Sequence, residues 1–421
     1  MRAESLRCLG MALQQWGRLL AVGVLGVLLG MGWLLGGSGL WGPFLSMGLV
    51  VVVAAGREAT ERFLAAWGYY ATGCWPIIGA ATGYWGPGHL EAGVAAWAAC
   101  SAALAGPWIG ASGPVGLLLA LAATALPPLG VIGWLSPLNA SGVLFPGLGW
   151  MGLGSLVLLA IAMQALVRRL TGGDGDEDRD KCGDGKRRWF PARAAVLGLT
   201  VVAMVANGDA YRDERVGTAV KLPKGWVGVR THVVPSRNSV LGTIENNQIL
   251  IEAARAQGRG ARVVVLPEAL LGDWLPGTRQ EFAAAVPPGQ IWLIGAQAGK
   301  ADAVVLVSHG RAAVRLATRA AGLLLGGDWQ PWVQDSLQPA WWQRVFVIGG
   351  KRVWAALCVE QVQPWTWLEA LWQRPDVILA MSNDWWAPEG NAAPEIQAAS
   401  ALAWARLMGV PLVGAVNRSW S

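Results

Sequence analysis

Residues 352–361 read RVWAALCVEQ. An apolar run leads from Val353 into Cys358, and Glu360 stands two positions further on. The run has the composition and length of a buried strand. A thiol at its end is either a small buried hydrophobe or a reactive nucleophile. If the strand continues through Cys358, the two-residue alternation turns Glu360 to the same face. A carboxylate there is placed to act as general base for the thiol. Composition alone favours the buried thiol, so the neighbours must decide.

Outward from this stretch, residues 208–421 alternate strand-like and helix-like segments. WVGVRTHVV (226–234) precedes a helical stretch near 239–258, and ARVVVLPE (261–268) follows. IWLIGAQ (291–297), AVVLVSH (303–309) and RAAVRLA (311–317) come next, then the run 345–360 that contains the opening stretch. VILAMSND (377–384), a helix near 393–409 and PLVGAVN (411–417) close the chain. This pattern predicts a layered α/β domain of roughly 210 residues, large enough for its own core.

The preceding 207 residues differ in kind. The chain of 421 residues is 54% hydrophobic and only 14% charged, against ~25% charged in soluble domains. Its 26 tryptophans suit a membrane interface. Apolar runs predict about seven membrane spans, at 18–36, 43–56, 64–82, 90–108, 113–135, 147–167 and 192–207. The first is too long for the apolar core of a cleaved signal peptide, and further spans follow. Arg2, Arg7 and Arg18 precede the first span, and Arg57 and Arg62 follow the second. Residues 168–193 carry eight Lys/Arg and six Asp/Glu. With seven spans these segments share one side, the cytoplasm, and 208–421 lies across the membrane from it. The loops near 37–42, 83–89 and 136–146 carry no Lys or Arg. These features predict a multi-pass protein of the bacterial inner membrane with a periplasmic C-terminal domain. The acidic cluster from Asp174 to Asp184 reads as a solvated Gly-rich loop rather than a metal site. A net charge of +6 without a basic helix or finger motif argues against nucleic-acid binding.

Of the five cysteines, Cys8 and Cys182 fall on the cytoplasmic side, and Cys74 and Cys100 in predicted spans. Cys358 stands alone in the extracytoplasmic domain, so a disulfide partner is lacking there. His232 and His309 sit in strand-like runs and read as structural. Glu268 closes the apolar run VVVLPE, and strand ends are where α/β folds place their chemistry.

A glutamate after one buried strand, a later Cys-x-Glu after another, and Ser-Asn-Asp plus an aromatic after a third resemble the carbon–nitrogen hydrolase (nitrilase) superfamily. The pieces here are LPEA (266–269), LCVE (357–360) and SNDWW (382–386). A membrane bundle followed by such a domain is similar to the apolipoprotein N-acyltransferases. LPEALLGDW, DWQPW, LCVEQ and GVPLVGAVN look still more like the nitrilase-like membrane proteins of conjugative elements. The resemblance implies an αββα sandwich and a Glu-Lys-Cys triad without cofactor or metal. Carried over, Glu268 is the general base and Cys358 attacks an acyl carbonyl to give a thioester. The Val359 N–H donates to the oxyanion, and Glu360 orients its neighbours. Gly327-Asp328-Trp329 looks like the counterpart of the acyltransferases' Gly-Glu-Tyr element, which implies an oxyanion or orienting role for Asp328 and a pocket role for Trp329; the SNDWW match implies pocket roles for Asn383, Asp384 and Trp385. The implied partners are membrane lipids, with lipoproteins or proteins of a conjugation apparatus. Such a protein either transfers or hydrolyses acyl groups, or serves as an impaired scaffold in assembling the mating apparatus. A housekeeping lipoprotein N-acyltransferase is the third reading.

The chain departs from the family pattern in places. The family lysine falls on Ala320, beside Arg319. Between Glu268 and Cys358 the lysines are Lys300 and Lys351, both beside glycines in expected turns. Arg319 supplies charge to an oxyanion but does not trade a proton. Val359 replaces the usual tyrosine, and the sequence stops at Ser421, where relatives continue into further strands. The expectation is a sandwich closed differently or with an incomplete last layer.

Overall fold

The computed structural model describes residues 2–37, 39–171, 185–212, 222–233, 240–268, 274–319, 338 and 340–418. Up to Arg212 the described chain is helical. Its helices are α1 (Arg2–Leu35), α2 (Trp41–Ala55), α3 (Ala59–Gly73), α4 (Pro76–Trp85) and α5 (Leu90–Ala105). α6 (Pro114–Ala125), α7 (Ala140–Leu144), α8 (Gly149–Leu170) and α9 (Gly185–Arg212) follow.

Four described helical stretches are long and apolar enough to cross a membrane: Leu13–Leu35, Pro87–Gly110, Gly149–Leu170 and Pro191–Ala210. The 22 residues of α8 span roughly 33 Å at ~1.5 Å per residue, enough for a hydrocarbon core of ~30 Å. The expected spans at 43–56, 64–82 and 113–135 fall on shorter pieces. α2 has 15 residues. The 64–82 run breaks where α3 ends at Gly73 and Pro76 opens α4, because proline cannot donate into the preceding turn. α6 stops at Ala125, two residues before Pro127 and Pro128. Within the expected loop 168–193, Arg168–Leu170 complete α8 and α9 starts at Gly185. The acidic cluster between them lies outside the described residues.

Small residues set how closely these helices approach. A Cβ on Gly26 would sit 2.1 Å from the Ala65 carbonyl oxygen, so α1 and α3 cross backbone to backbone. The buried Tyr69 hydroxyl accepts from Trp33 Nε1 at 2.8 Å and donates to the Leu135 carbonyl at 2.8 Å. Such internal pairing is what a polar group in an apolar bundle requires. Basic residues gather at one end of the bundle. Arg18 Nη2 meets Glu61 Oε2 at 2.8 Å, Arg57 donates to the Thr171 carbonyl, and Arg62 Nε donates to the Ile109 carbonyl at 2.9 Å.

From Trp226 the chain builds two five-stranded sheets. Its elements are β1 (Trp226–Gly228), β2 (Arg230–Thr231), α10 (Val240–Gln257), β3 (Val263–Val265) and α11 (Pro276–Ala285). Then come β4 (Ile291–Ala298), β5 (Ala301–Ser308), β6 (Arg311–Arg319), β7 (Phe346–Ile348) and β8 (Lys351–Leu357). α12 (Pro364–Gln373), β9 (Val377–Asn383), α13 (Ala393–Met408) and β10 (Leu412–Asn417) complete it. One sheet has the order β1-β3-β4-β5-β6, the other β2-β10-β9-β8-β7. β1, β3 and β4 are parallel, as are β2, β10, β9 and β8, while β5, β6 and β7 join antiparallel.

Two expected strands prove composite. WVGVRTHVV divides into β1 and β2, one in each sheet, with Val229 donating to the Val265 carbonyl and accepting from the Val416 N–H. Gly228 permits the crossing, because a Cβ there would lie 1.9 Å from the Gly414 carbonyl oxygen. The run 345–360 folds as the hairpin β7–β8, turned by Gly349 and Gly350 at φ 57° and 79°.

Alternation along the strands sorts the apolar side chains into layers. Val263, Val265, Leu293, Leu357, Leu379 and Ala415 pack between the sheets. Val264, Ile294 and Val305 face outward against α10 and α11. Trp354, Ala356, Ile378 and Ala380 face outward on the second sheet, in one core with α12, α13 and the N-terminal helices. In that core Trp367 stacks on Trp404, centroids 6.3 Å apart. The α/β region is thus seated on the helical region at the end away from the basic residues. Asn139 Nδ2 donates to Ser400 Oγ at 3.3 Å, Gly147 N to the Arg406 carbonyl at 2.7 Å, and Asn391 Nδ2 to the Pro76 carbonyl at 2.9 Å.

Candidate functional site

The site is built from strand ends. Because β1 runs straight into β2, the parallel strands of both sheets point the same way and end on one rim. In the second sheet, Arg230, Val416 and Ser382 are level, and so are Leu357 and Met381. Cys358 follows Leu357 and therefore sits at the level of Ser382. In the first sheet, Val265 pairs with Leu293, Ala296 with Ala303, and Ala303 with Arg319. Glu268, three residues past Val265, is thus level with Arg319 on the same rim. Three strand spacings of ~4.8 Å separate them, roughly 14 Å. The structure brings Glu268, Arg319, Cys358, Asn383 and Asp384 to one end of the two sheets. Asp328, Trp329 and Ala320 lie outside the described residues.

Cys358 does not continue the strand. β8 stops at Leu357, and Cys358 takes φ 42°, a left-handed conformation that a side-chain-bearing residue adopts at a cost of about 1–3 kcal/mol. A 3₁₀ turn over Cys358–Val362 follows. The expected same-face relation of Cys358 and Glu360 fails for this reason, since the turn breaks the two-residue alternation. Glu360 is instead fully buried beneath the turn. Its Oε2 accepts the Leu357 N–H at 2.8 Å, and both carboxylate oxygens accept from Gln343 Nε2, at 2.9 and 3.0 Å. Thr366 Oγ1 donates to the Glu360 carbonyl at 3.1 Å and Trp367 Nε1 to the Gln361 carbonyl at 3.0 Å. Glu360 is the clamp that holds the turn bearing Cys358 and Val359, both half-buried. Glu268 is buried at the opposite sheet's rim.

The strand-end segment SNDWW divides its labour. Asn383 Oδ1 accepts from Asn417 Nδ2 at 2.9 Å, while Asn417 Oδ1 accepts from Thr231 Oγ1 and the Val233 N–H, each at 2.8 Å. This knot ties the ends of β2, β9 and β10. Asp384 is 2% exposed. Its Oδ2 accepts from Ser382 Oγ at 3.3 Å and lies 3.8 Å from Arg418 Nε, and Oδ1 has no hydrogen-bond partner among the described residues. Burial raises its pKa to about 7; the Arg418 charge and the Ser382 hydrogen bond oppose the rise, and Glu395 adds to it. Trp385 leaves the rim and tilts against Tyr84 of α4, ring centroids 5.5 Å apart.

Several contributors carry no sequence signal. Gln343 was missed because nothing in PAWWQRV marks a clamp, and Glu369 because it reads as an ordinary helix carboxylate. Glu369 Oε2 accepts the Gln343 N–H at 3.0 Å, and burial raises its pKa to about 7 despite that bond. Asn417, a polar residue closing an apolar strand, was legible in principle. His309 lies apart, with Nδ1 against the Val286 carbonyl at 2.7 Å, whereas His232, next to Thr231 of the knot, has Nδ1 against the Arg418 carbonyl at 3.2 Å. Among the described residues Cys74 and Cys100 are free thiols, and no three His, Cys, Asp or Glu side chains group as metal ligands.

No protein-family model matches the chain. The conjugal transfer protein TraB of Agrobacterium fabrum is 32% identical over 316 residues, covering 72% of this chain and 67% of the relative. The probable conjugal transfer protein TraB of Sinorhizobium fredii is 32% identical over 318 residues, covering 72% of this chain and 73% of the relative. At that identity over that share of both relatives, the chain belongs to the TraB family of conjugal transfer proteins.

Proposed function

We propose that this TraB-family chain is a multi-pass inner-membrane protein whose residues 208–421 form a periplasmic carbon–nitrogen hydrolase-like domain performing acyl transfer or hydrolysis. The observation that carries the chemistry is the backbone of Cys358. Its left-handed φ of 42° at the end of β8 lifts the thiol out of strand register, on the rim that also holds buried Glu268. A nucleophile on a strained strand-end turn is a recurring arrangement in acyl transfer.

In the proposed reaction Glu268 takes the thiol proton as Cys358 Sγ adds to an ester or amide carbonyl. The Val359 N–H receives the oxyanion, and the C–O or C–N bond then breaks as Glu268 returns the proton to the leaving group. Water or an acceptor amine next cleaves the thioester with the same proton traffic. Trp329, Asn383 and Asp384 would border the substrate, and Asp328 would help to orient it or its oxyanion. Arg319 would contribute charge at the rim, in place of the family lysine. The gathering of Arg18, Arg57 and Arg62 at the end opposite the α/β region supports the orientation.

Purified protein in phospholipid nanodiscs should gain one acyl mass on the Cys358 peptide, released by neutral hydroxylamine and absent from Cys358→Ala. Absence of the adduct, together with normal conjugation by Cys358→Ala, would overturn the chemistry. Those results would favour the second reading, a catalytically impaired scaffold that assists the mating apparatus. Ala320 at the family lysine's place is the observation on that side.

A further inference from the structure

A cleft of about 380 Å³ opens where the α/β region meets the helical region, within the ~300–1,000 Å³ range of small-molecule sites. Among the described residues five tryptophans line it, Trp150, Trp341, Trp342, Trp365 and Trp372, with Glu369 as the one charged-type side chain. Most of them face outward: Trp342 is 54% and Trp372 70% exposed. Trp341 leans on Trp365, ring centroids 5.9 Å apart. A contiguous exposed apolar surface of this kind marks a site of contact with another molecule or a membrane, and its position points to what covers it. Trp150 lies in the first turn of α8, itself a spanning helix, and Leu126 lies immediately past the end of α6. Gln363 Nε2, at the start of α12, donates to the Val131 carbonyl at 2.7 Å and so fixes α12 beside the turn that follows α6. The cleft therefore sits where α8 would leave the hydrocarbon, at the depth tryptophan prefers.

We infer that this cleft is a seat for one bilayer phospholipid, with an acyl chain among the tryptophans and the glycerol-ester region beside Glu369. The inference rests on the membrane half of the proposed function and not on its chemistry. Burial raises the Glu369 pKa to about 7, so near neutral pH the carboxyl is about half protonated, which lowers the charge beside the ester region of a lipid. The seat also connects to the candidate nucleophile. Gln343 follows Trp341 and Trp342 directly, gives its backbone N–H to Glu369 and its side-chain amide to Glu360. A lipid that repositions the two tryptophans acts on the clamp under Cys358 through that one residue.

The test uses the full-length protein in nanodiscs doped with a phospholipid carrying a photoactivatable diazirine near the ester end of one acyl chain. Adducts are mapped by mass spectrometry. Labelling is expected on the peptides holding Trp341–Trp342 and Trp365–Trp372, alongside the exposed face of α1 as an internal reference. Trp342→Ala with Trp372→Ala should lower cleft labelling about tenfold or more, as loss of two anchoring aromatic side chains does. Labelling of α1 and the thermal midpoint should hold. Cys358→Ala should label like the parent, so failure of the acyl chemistry leaves this result standing. Unlabelled cleft peptides beside a labelled α1, or cleft labelling indifferent to the double substitution, would overturn the lipid seat.

Discussion

Asp384 shows how one buried side chain sets a measurable property of the rim. Its carboxyl is held near pKa 7 against an ordinary value of 3.8, because burial outweighs the charge of Arg418 at 3.8 Å. Between those two values the folded state binds more protons than the unfolded chain. Stability from Asp384 therefore falls as pH rises from about 4 to 7 and is fully lost above that. Glu369, raised from 4.5 to about 7, adds a second loss over nearly the same window. Asp384→Asn keeps the shape and removes one of the two titrations. The thermal midpoint of this variant should exceed that of the parent at pH 8 and drop less between pH 5 and 8. An unchanged pH slope would mean that Arg418 holds Asp384 ionised after all. Glu360 is buried more completely, yet it receives three donated hydrogen bonds, from Leu357 and Gln343. The two carboxylates thus play different parts: one closes a turn, the other leaves an oxygen without a hydrogen-bond partner facing the rim.

Elements were legible in the sequence where a single period ran unbroken. α10, β4, β9, α13 and β10 fall within a few residues of their expected limits because each is one apolar pattern between clear stops. Composite segments were not legible. Period-two alternation passes through Val229 and through Gly349-Gly350 without a break, so it cannot reveal a crossing between sheets or a hairpin. α11 and α12 were missed, since a ten-residue helix opened by proline reads as loop. The site was legible as strand ends carrying Glu268, Cys358 and Asp384, but its clamp was not. Gln343 and Glu369 reach Glu360 through the packing of α12, which no local pattern encodes. The seating of α13 on α7 was equally invisible, and it depends on one glycine. A Cβ on Gly142 would lie 1.7 Å from the Ala403 carbonyl oxygen, whereas nothing lies within 4 Å of one on Gly154 in α8. Gly142→Ala should therefore destabilise by about 1–3 kcal/mol through forced separation of the two helices. Gly154→Ala should be neutral or stabilising by roughly 0.5–1 kcal/mol. Thermal midpoints in one detergent compare them directly, and equal midpoints would show that α13 shifts without cost.

Over the whole molecule, one apolar core runs from the N-terminal helices through α12 and α13 to the second sheet. The α/β region is therefore packed against the helical region and not merely tethered to it. In the proposed topology, charge decides which side it faces. The end of the bundle opposite the sheets holds Arg18, Arg57 and Arg62, with Arg168 and Arg169 in the last turn of α8. In the proposed topology, which follows the positive-inside rule, that end is cytoplasmic and the turn at Gly299-Lys300 lies outside. A cysteine introduced as Lys300→Cys, with the native cysteines other than Cys182 replaced, separates the alternatives. In cells with a permeabilised outer envelope, a membrane-impermeant maleimide should label position 300 at once. Cys182 should react only after the inner membrane is lysed. The reverse order would put the sheets in the cytoplasm. Cys358 would then meet a reducing compartment and only inner-leaflet lipid, and the phospholipid seat would face the other leaflet.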